Sequence, residues 1–161
     1  MEQKTKIAAK DGAHDLVVTR EFDLPVGLLF RAHAEADILE QWMGTRVLKL
    51  DSRPHGSYAF ETSDPQGNVV FKANGVIHEF VPDKKITRTF EMENAGFPVQ
   101  LEFLEFEDLT AETSKLTMQI VYRSVADRDA MLKLPFAFGI NMAHNRLEEV
   151  VRGLASTGEE R

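Results

Sequence analysis

The spacing of apolar residues changes twice along this chain, and that change restricts the folds it can adopt. Between residues 45 and 122 apolar side chains recur mostly at every second position, which is typical of β-strands. The stretches on either side repeat at three and four residues, as the buried face of a helix does. The alternation is clearest at Leu116, Met118, Ile120 and Tyr122. This pattern predicts strands with one buried face and one solvated face.

Six strands are predicted in the central region. The segments between them are rich in turn-forming residues, as at Pro54–Gly56 and Asp64–Asn68. Links this short join neighbouring antiparallel strands, so the pattern predicts a meander of hairpins. The predicted strands are Val47–Leu50, Tyr58–Thr62, Val69–Phe80, Ile86–Met92, Val99–Phe106 and Leu116–Tyr122.

Helices are predicted on both sides of these strands. A first strand ends at Pro25, and one or two short helices follow between Pro25 and Gln41. A shorter helix is expected over Asp127–Leu132 and a long amphipathic helix over Gly139–Leu154. The apolar stripe of this last segment comprises Phe136, Ile140, Ala143, Leu147, Val150, Val151 and Leu154. Its opposite, polar side comprises Asn141, Asn145, Glu148, Glu149 and Arg152.

The order of these elements indicates an α+β fold. A single sheet with one apolar face must cover that face, and the terminal helix is the only predicted element long enough to do so. A twisted antiparallel sheet curved around this helix leaves a space in which a pocket can lie. We expect one domain over residues 15–155, preceded by a flexible segment, residues 1–14, and followed by a flexible tail, residues 156–161.

Composition and charge exclude several functional classes. The chain has 161 residues, of which 43% are hydrophobic, as expected for one packed domain. Its net charge of −7 disfavours nucleic acid as a partner. It contains 0 cysteines, which excludes disulfides and thiolate metal sites. With no apolar leader and no membrane-spanning stretch in the sequence, we expect a cytoplasmic protein that does not insert into membranes.

Short motifs along most of the chain carry a family resemblance. They are Phe22–Pro25, Phe30–Ala32, Asp37–Met43, Asp51, Pro54, Gly56, Tyr58, Gly75, Glu79, Pro82, Ile86 and Asp127–Met131. In this order and spacing, the chain resembles the activator-of-Hsp90-ATPase-homologue-1-like family of the START/Bet v 1-like superfamily. The resemblance implies a helix-grip fold, in which a curved antiparallel sheet, two short helices and a long C-terminal helix enclose a cavity. Members of the superfamily bind sterols, lipids or polyketides, and some cyclise or hydrolyse their ligands.

A set of mainly aromatic side chains is predicted to line this cavity. Arg88 shares strand parity with Ile86 and Phe90, so it points inward and must be paired or lie near water. It either orients a polar group of a ligand or forms a structural ion pair. His144 lies at the edge of the apolar stripe of the long helix. It either binds the ligand or is a buried histidine whose hydrogen bonds are made within the protein. The predicted lining is Trp42, Tyr58, Phe60, Phe71, Arg88, Phe90, Phe103, Met118 and His144.

Motifs for metal, cofactor or nucleophilic chemistry are missing from the sequence. The 5 histidines are scattered without a metal-ligand spacing, and neither a GxSxG nor a GxGxxG motif occurs. Three functions remain open. The first is binding of a hydrophobic or amphipathic small molecule without catalysis. The second is a polyketide cyclase-like or hydrolase-like enzyme that uses Arg88, Tyr58 and His144. The third, implied by the resemblance, is an Hsp90-type chaperone interaction module.

Two residues of the long helix fit the predicted fold badly. Phe138 and Met142 fall away from the apolar stripe, among polar side chains. A symmetric homodimer is a common way to bury such a patch, and we expect self-association on this face.

Overall fold

Eight antiparallel strands form one sheet in the computed structural model, which describes residues 4–157. Their order across the sheet is β1-β2-β8-β7-β6-β5-β4-β3, so the meander from β3 to β8 ends beside β2. The strands are β1 (Lys6–Ala8), β2 (Asp15–Phe22), β3 (Arg46–Leu50), β4 (Ser57–Ser63), β5 (Val69–Val81), β6 (Lys85–Met92), β7 (Gln100–Asp108) and β8 (Ser114–Val121).

Four helices in the described residues complete the fold. They are α1 (Val26–Ala34), α2 (Ala36–Met43), α3 (Val125–Leu132) and α4 (Phe136–Thr157). Glu35 has an extended backbone that separates α1 from α2, and Gly44 ends α2 in the left-handed region at a φ of 66°. Ser124 caps α3, because its hydroxyl accepts the Asp127 N–H at 3.1 Å. None of the helices within residues 4–157 is both long enough and apolar enough to cross a membrane.

The apolar face of the sheet packs against α4, as the hydrophobic pattern predicted. Leu147 and Val151 of α4 are 0% and 1% exposed, and they join a core that includes Leu16 and Val18 of β2. Helix α2 packs on the same helix, and the Arg146 Nε donates to the Trp42 carbonyl at 2.9 Å. The predicted helix-grip α+β fold is therefore confirmed.

Part of the N-terminal segment is a strand, whereas the sequence predicted a flexible segment over residues 1–14. Residues 6–8 form the edge strand β1, in which Lys6 pairs with Thr19 and Ala8 with Val17. Thr5 is also buried, and its N–H donates to the Asn141 Oδ1 at 3.0 Å. The strand depends on backbone pairing with the edge of β2 and contains one large apolar residue, so its hydrophobic pattern was too weak to predict it. Residues 1–3, and 158–161 of the predicted tail, lie outside the described part of the chain.

The polar side predicted for the long helix is partly buried. Asn141 and Glu148 are 7% and 6% exposed, although both were expected on the solvated face. Asn141 is buried beside the N-terminal segment, where its Oδ1 accepts the Thr5 N–H. Glu148 is buried because Arg20 of β2 points inward and needs partners. Its Nη2 donates to the Glu148 Oε1 at 2.9 Å, and its Nη1 to the Asn145 Oδ1 at 2.8 Å. The sheet-facing surface of α4 is therefore wider than its apolar stripe.

Replacing Glu148 with Ala tests this buried ion pair. We expect the free energy of unfolding to fall by about 3 kcal/mol, because the Arg20 charge would remain buried without its counterion. Urea denaturation measures the change. The neighbouring Glu149→Ala variant is the control, since Glu149 is exposed and should change stability little. Equal losses in the two variants would contradict the assigned role of Glu148.

Candidate ligand-binding cavity

A cavity of about 280 Å³ lies between the inner face of the sheet and the helices. Its size is near the lower end for small-molecule sites, which range from roughly 300 to 1,000 Å³. The lining comes from every helix and from strands β6, β7 and β8. Two larger depressions, of about 560 and 460 Å³, are more open and are lined mainly by charged and polar residues of the strands. The more enclosed cavity is therefore the better candidate site.

Five of the nine predicted lining residues meet at this cavity. Helices α2 and α4 supply Trp42 and His144, and the strands supply Arg88, Phe90 and Met118. They come together because alternate residues of a strand share one face of the sheet, which curves around α4. Strand alternation indicated the direction of Arg88, Phe90 and Met118 from the sequence, and helical spacing indicated that of His144.

The other four predicted residues do not line the cavity. Tyr58 and Phe60 of β4 are buried in the core, with their rings 5.2 Å apart, and Phe71 of β5 is half-buried against the same core. Phe103 lies on the outer face of the sheet, because its neighbours Glu102 and Leu104 point inward. The prediction failed at Phe103 because both faces of β7 carry apolar residues, so alternation alone left its direction ambiguous.

Four polar residues that the prediction omitted also line the cavity. They are His33, Gln100, Glu102 and Tyr122. The sequence carried a signal for two of them. His33 lies four residues after Leu29 on one face of a helix, and Glu102 alternates with Leu104 on a strand.

Arg88, Glu102 and Gln100 form a hydrogen-bonded chain on the cavity wall. Arg88 pairs with Glu102 across β6 and β7, and its Nε donates to the Glu102 Oε1 at 2.8 Å. The other carboxylate oxygen accepts from the Gln100 Nε2 at 2.7 Å. Arg88 therefore forms a structural ion pair, which was one of the two hypotheses for this residue. Its two terminal nitrogens make no hydrogen bond to any described residue, so they remain available at the cavity.

Tyr58 supports Arg88 from outside the cavity. The Arg88 Cζ lies 5.6 Å from the centre of the Tyr58 ring, and the Tyr58 hydroxyl donates to the Thr89 carbonyl. Gly75 makes this position possible. A Cβ on Gly75 would lie 2.0 Å from the Thr89 carbonyl oxygen and 2.5 Å from the Tyr58 hydroxyl oxygen. The missing side chain at residue 75 lets the tyrosine ring cross β5 and reach β6.

Two neutral histidines, His33 and His144, lie close to Trp42. The ring centres of His33 and His144 are 5.2 and 6.4 Å from that of Trp42. Burial lowers the pKa of His33 to about 4, an effect that the hydrogen bond to the Leu29 carbonyl opposes and the nearby Arg88 charge assists. Burial also lowers the pKa of His144 to about 3, with smaller contributions from His33 and Arg20. At neutral pH both rings are therefore uncharged.

The cavity has no net charge from its ionisable groups. Arg88 and Glu102 neutralise each other, and the histidines are neutral. Burial raises the pKa of Tyr122, which keeps its hydroxyl protonated. Within residues 4–157 there is no group of three or more His, Asp or Glu side chains that could hold a metal ion. The arrangement is suited to hydrogen bonding within an apolar enclosure.

Comparisons with known proteins agree with this architecture. A family model described as activator of Hsp90 ATPase homolog 1-like protein matches residues 23–152. No curated protein sequence matches the chain.

Three solved structures resemble the fold at low sequence identity. A Rhodobacter sphaeroides protein is 18% identical, with 92% of this chain and 100% of that chain covered, at a TM-score of 0.80. An Arthrobacter aurescens protein is 14% identical, with 92% and 91% covered, at a TM-score of 0.81. The protein NE0264 of Nitrosomonas europaea is 22% identical, with 91% and 99% covered, at a TM-score of 0.76. At these identities the similarity establishes the fold alone.

The chain's 2 tyrosines provide a matched test of the polar groups near the cavity. The Tyr58 hydroxyl has an acceptor, whereas the buried Tyr122 hydroxyl has no hydrogen-bond partner among the described residues. We expect Tyr58→Phe to lower the free energy of unfolding by about 1 kcal/mol and Tyr122→Phe to leave it unchanged or raise it. Urea denaturation of both variants measures the difference. A larger loss for Tyr122→Phe than for Tyr58→Phe would contradict the assignment.

Proposed function

Because the chain belongs to the family of activator of Hsp90 ATPase homologue 1-like proteins, we propose that it is a cytoplasmic protein that binds a hydrophobic or amphipathic small molecule. The binding site is the cavity of about 280 Å³ between the sheet and α4. The observation that carries the proposal is the composition of this enclosure, which has mainly apolar walls and a few polar groups at fixed positions. Sites for small molecules in proteins typically have this character.

Methionines make the cavity wall adaptable. Met43, Met92, Met118 and Met131 line it from α2, β6, β8 and α3. The unbranched, polarisable methionine side chain fits around ligands of different shape. An apolar ligand would gain about 25 cal/mol for each Å² of its surface that leaves water. These features support binding of a largely apolar molecule.

Catalysis is the weaker alternative for this cavity. An enzyme of the cyclase or hydrolase type was expected to use Arg88, Tyr58 and His144, but Tyr58 does not line the cavity. General bases act best when their pKa lies near the working pH, and His33 and His144 have pKa values of about 4 and about 3. Neutral histidines of this kind favour holding a ligand over moving its protons. A chaperone interaction rests on the family description alone and remains a separate hypothesis.

The chain's 1 tryptophan makes ligand binding directly measurable. Trp42 lies on the cavity wall, so the uncharged fluorophore 1-aminoanthracene should quench its emission by energy transfer. We expect saturable binding with one site per chain. The Ala143→Phe variant fills the cavity and should weaken binding at least about tenfold, a free-energy change of about 1.4 kcal/mol.

Ala137→Phe is the matched control for this experiment. It makes the same change on the same helix, but at an exposed position outside the lining, and it should bind like the wild type. The proposal would be wrong if the folded wild-type protein gave no saturable energy transfer. It would also be wrong if the two variants bound equally well.

Self-association through α4 is a second proposal, and the positions of three apolar side chains support it. Leu134, Phe138 and Met142 are 49%, 60% and 43% exposed. They follow one another at four-residue spacing, from just before α4 into its second turn, so they form one apolar strip. Two copies related by a two-fold axis would bury this strip against itself.

Sedimentation equilibrium at micromolar concentration tests the dimer. The wild-type protein should have twice the 18.2 kDa mass of the chain, and Phe138→Glu should return it to the monomer, because the new charge would be buried in the interface. Val70→Glu introduces the same charge at an apolar position on β5 that is 63% exposed, and it should leave the dimer intact. A wild-type mass near 18.2 kDa would exclude the proposal.

A further inference from the structure

The hydrogen bonds outside the cavity determine which nitrogen of each cavity histidine carries the proton. The His33 Nδ1 lies 3.0 Å from the carbonyl oxygen of Leu29, one turn earlier in α1. A carbonyl oxygen can only accept, so the Nδ1 carries the hydrogen. In a neutral imidazole the other nitrogen then has a free lone pair. His33 therefore offers the Nε2 as a hydrogen-bond acceptor, and no described residue donates to it.

His144 has the opposite arrangement. Its Nδ1 lies 2.9 Å from the Thr5 hydroxyl, which also accepts from the Arg20 Nη1 at 3.2 Å. A guanidinium can only donate, so the hydroxyl proton is free to go to another partner. The histidine is the one described residue that can receive it. The His144 Nδ1 is then an acceptor, and its Nε2 carries the hydrogen and is a donor.

The cavity wall thus carries one acceptor and one donor on rings that lie against the same tryptophan. Both histidines line the cavity, and both ring centres lie within 6.4 Å of the centre of Trp42. Burial keeps both rings neutral, since each pKa is far below 7. The charged groups nearby are already paired, Arg88 with Glu102 and Arg20 with Glu148. A charged ligand would find no unpaired counterion here.

We propose that this site selects an uncharged ligand with a hydroxyl group, which donates to the His33 Nε2 and accepts from the His144 Nε2–H. This rests on the proposed function and names its ligand class, a phenol or alcohol on an apolar ring system. A hydroxyl both donates and accepts at one oxygen, so it satisfies the two imidazoles together. An ether or ketone accepts only and leaves the His33 lone pair without a partner. A carboxylate adds a buried charge that nothing balances.

Three probes with one ring system test the selection. They are 2-naphthol, 2-methoxynaphthalene, which lacks the donor, and 2-naphthoate, which is charged. Each competes with 1-aminoanthracene for the full-length protein at pH 7, and the Trp42 signal reports displacement. We expect 2-naphthol to bind at least about tenfold more tightly than the other two, because a buried polar group left unpaired costs about that much in affinity.

Variants of the two histidines test their roles separately. In His33→Phe the preference for 2-naphthol over 2-methoxynaphthalene should fall to within about threefold, because the acceptor for the naphthol proton is lost. In His144→Phe both probes should bind more weakly and the preference should persist, because the His144 Nε2–H bonds to an oxygen that both probes carry. Binding of 2-methoxynaphthalene should change less than that of 2-naphthol in His33→Phe. The control is His78→Phe, which alters an exposed histidine outside the cavity and should keep the full preference.

A measurement on the wild-type protein avoids any loss of folding in the variants. Long-range proton–nitrogen NMR correlations of the imidazoles should show the Nδ1–H tautomer for His33 and the Nε2–H tautomer for His144 at neutral pH. The opposite tautomer on either ring would overturn the proposal.

The binding outcomes separate this inference from the proposed function. Equal affinity for 2-naphthol and 2-methoxynaphthalene, with 1-aminoanthracene bound, would overturn the hydroxyl selection and leave the proposed function standing. A preference for 2-naphthoate would overturn it in favour of an anion held by Arg88. If neither 1-aminoanthracene nor any naphthalene probe binds, both proposals fail.

Discussion

Arg20 is a buried cation on the inner face of β2, and satisfying its charge determines how α4 lies on the sheet. Its side chain is 1% exposed, and it donates to Glu148 and Asn145 on successive turns of the helix. Apolar packing is tolerant of small rotations, whereas charge-assisted hydrogen bonds require particular distances and directions. The pair therefore defines which face of α4 meets the sheet, and apolar contacts such as those of Leu147 fill the rest.

The same arginine links the fold to the candidate site. A third hydrogen bond of Arg20 reaches the Thr5 hydroxyl, which in turn contacts the His144 Nδ1. The buried end of the N-terminal segment thereby fixes the proton position of a histidine in the cavity wall.

The sequence predicted the architecture because the fold depends on hydrophobic period. Period two in the centre and the long stripe containing Leu147 specify a sheet that covers one helix. Buried polar residues were not predictable in this way, because Asn141 and Glu148 look like solvated residues until the positions of their partners, Thr5 and Arg20, are known. The spacing of apolar residues was equally insufficient to predict the polar residues of the cavity wall. Alternation with Leu104 indicates that Glu102 points inward, but its role depends on the register that places it opposite Arg88.

Two arginines on the inner face of the sheet show how similar ion pairs serve different purposes. Arg20 pairs with a glutamate on the helix, and its neighbours leave it almost no exposed surface. Arg88 pairs with a glutamate on the adjacent strand and retains 16% of its side-chain exposure, with its terminal nitrogens available at the cavity. The ion pair of Arg20 joins the sheet to α4. The ion pair of Arg88 keeps a charge-balanced polar wall beside an apolar space, which allows an uncharged ligand to enter without separating an ion pair.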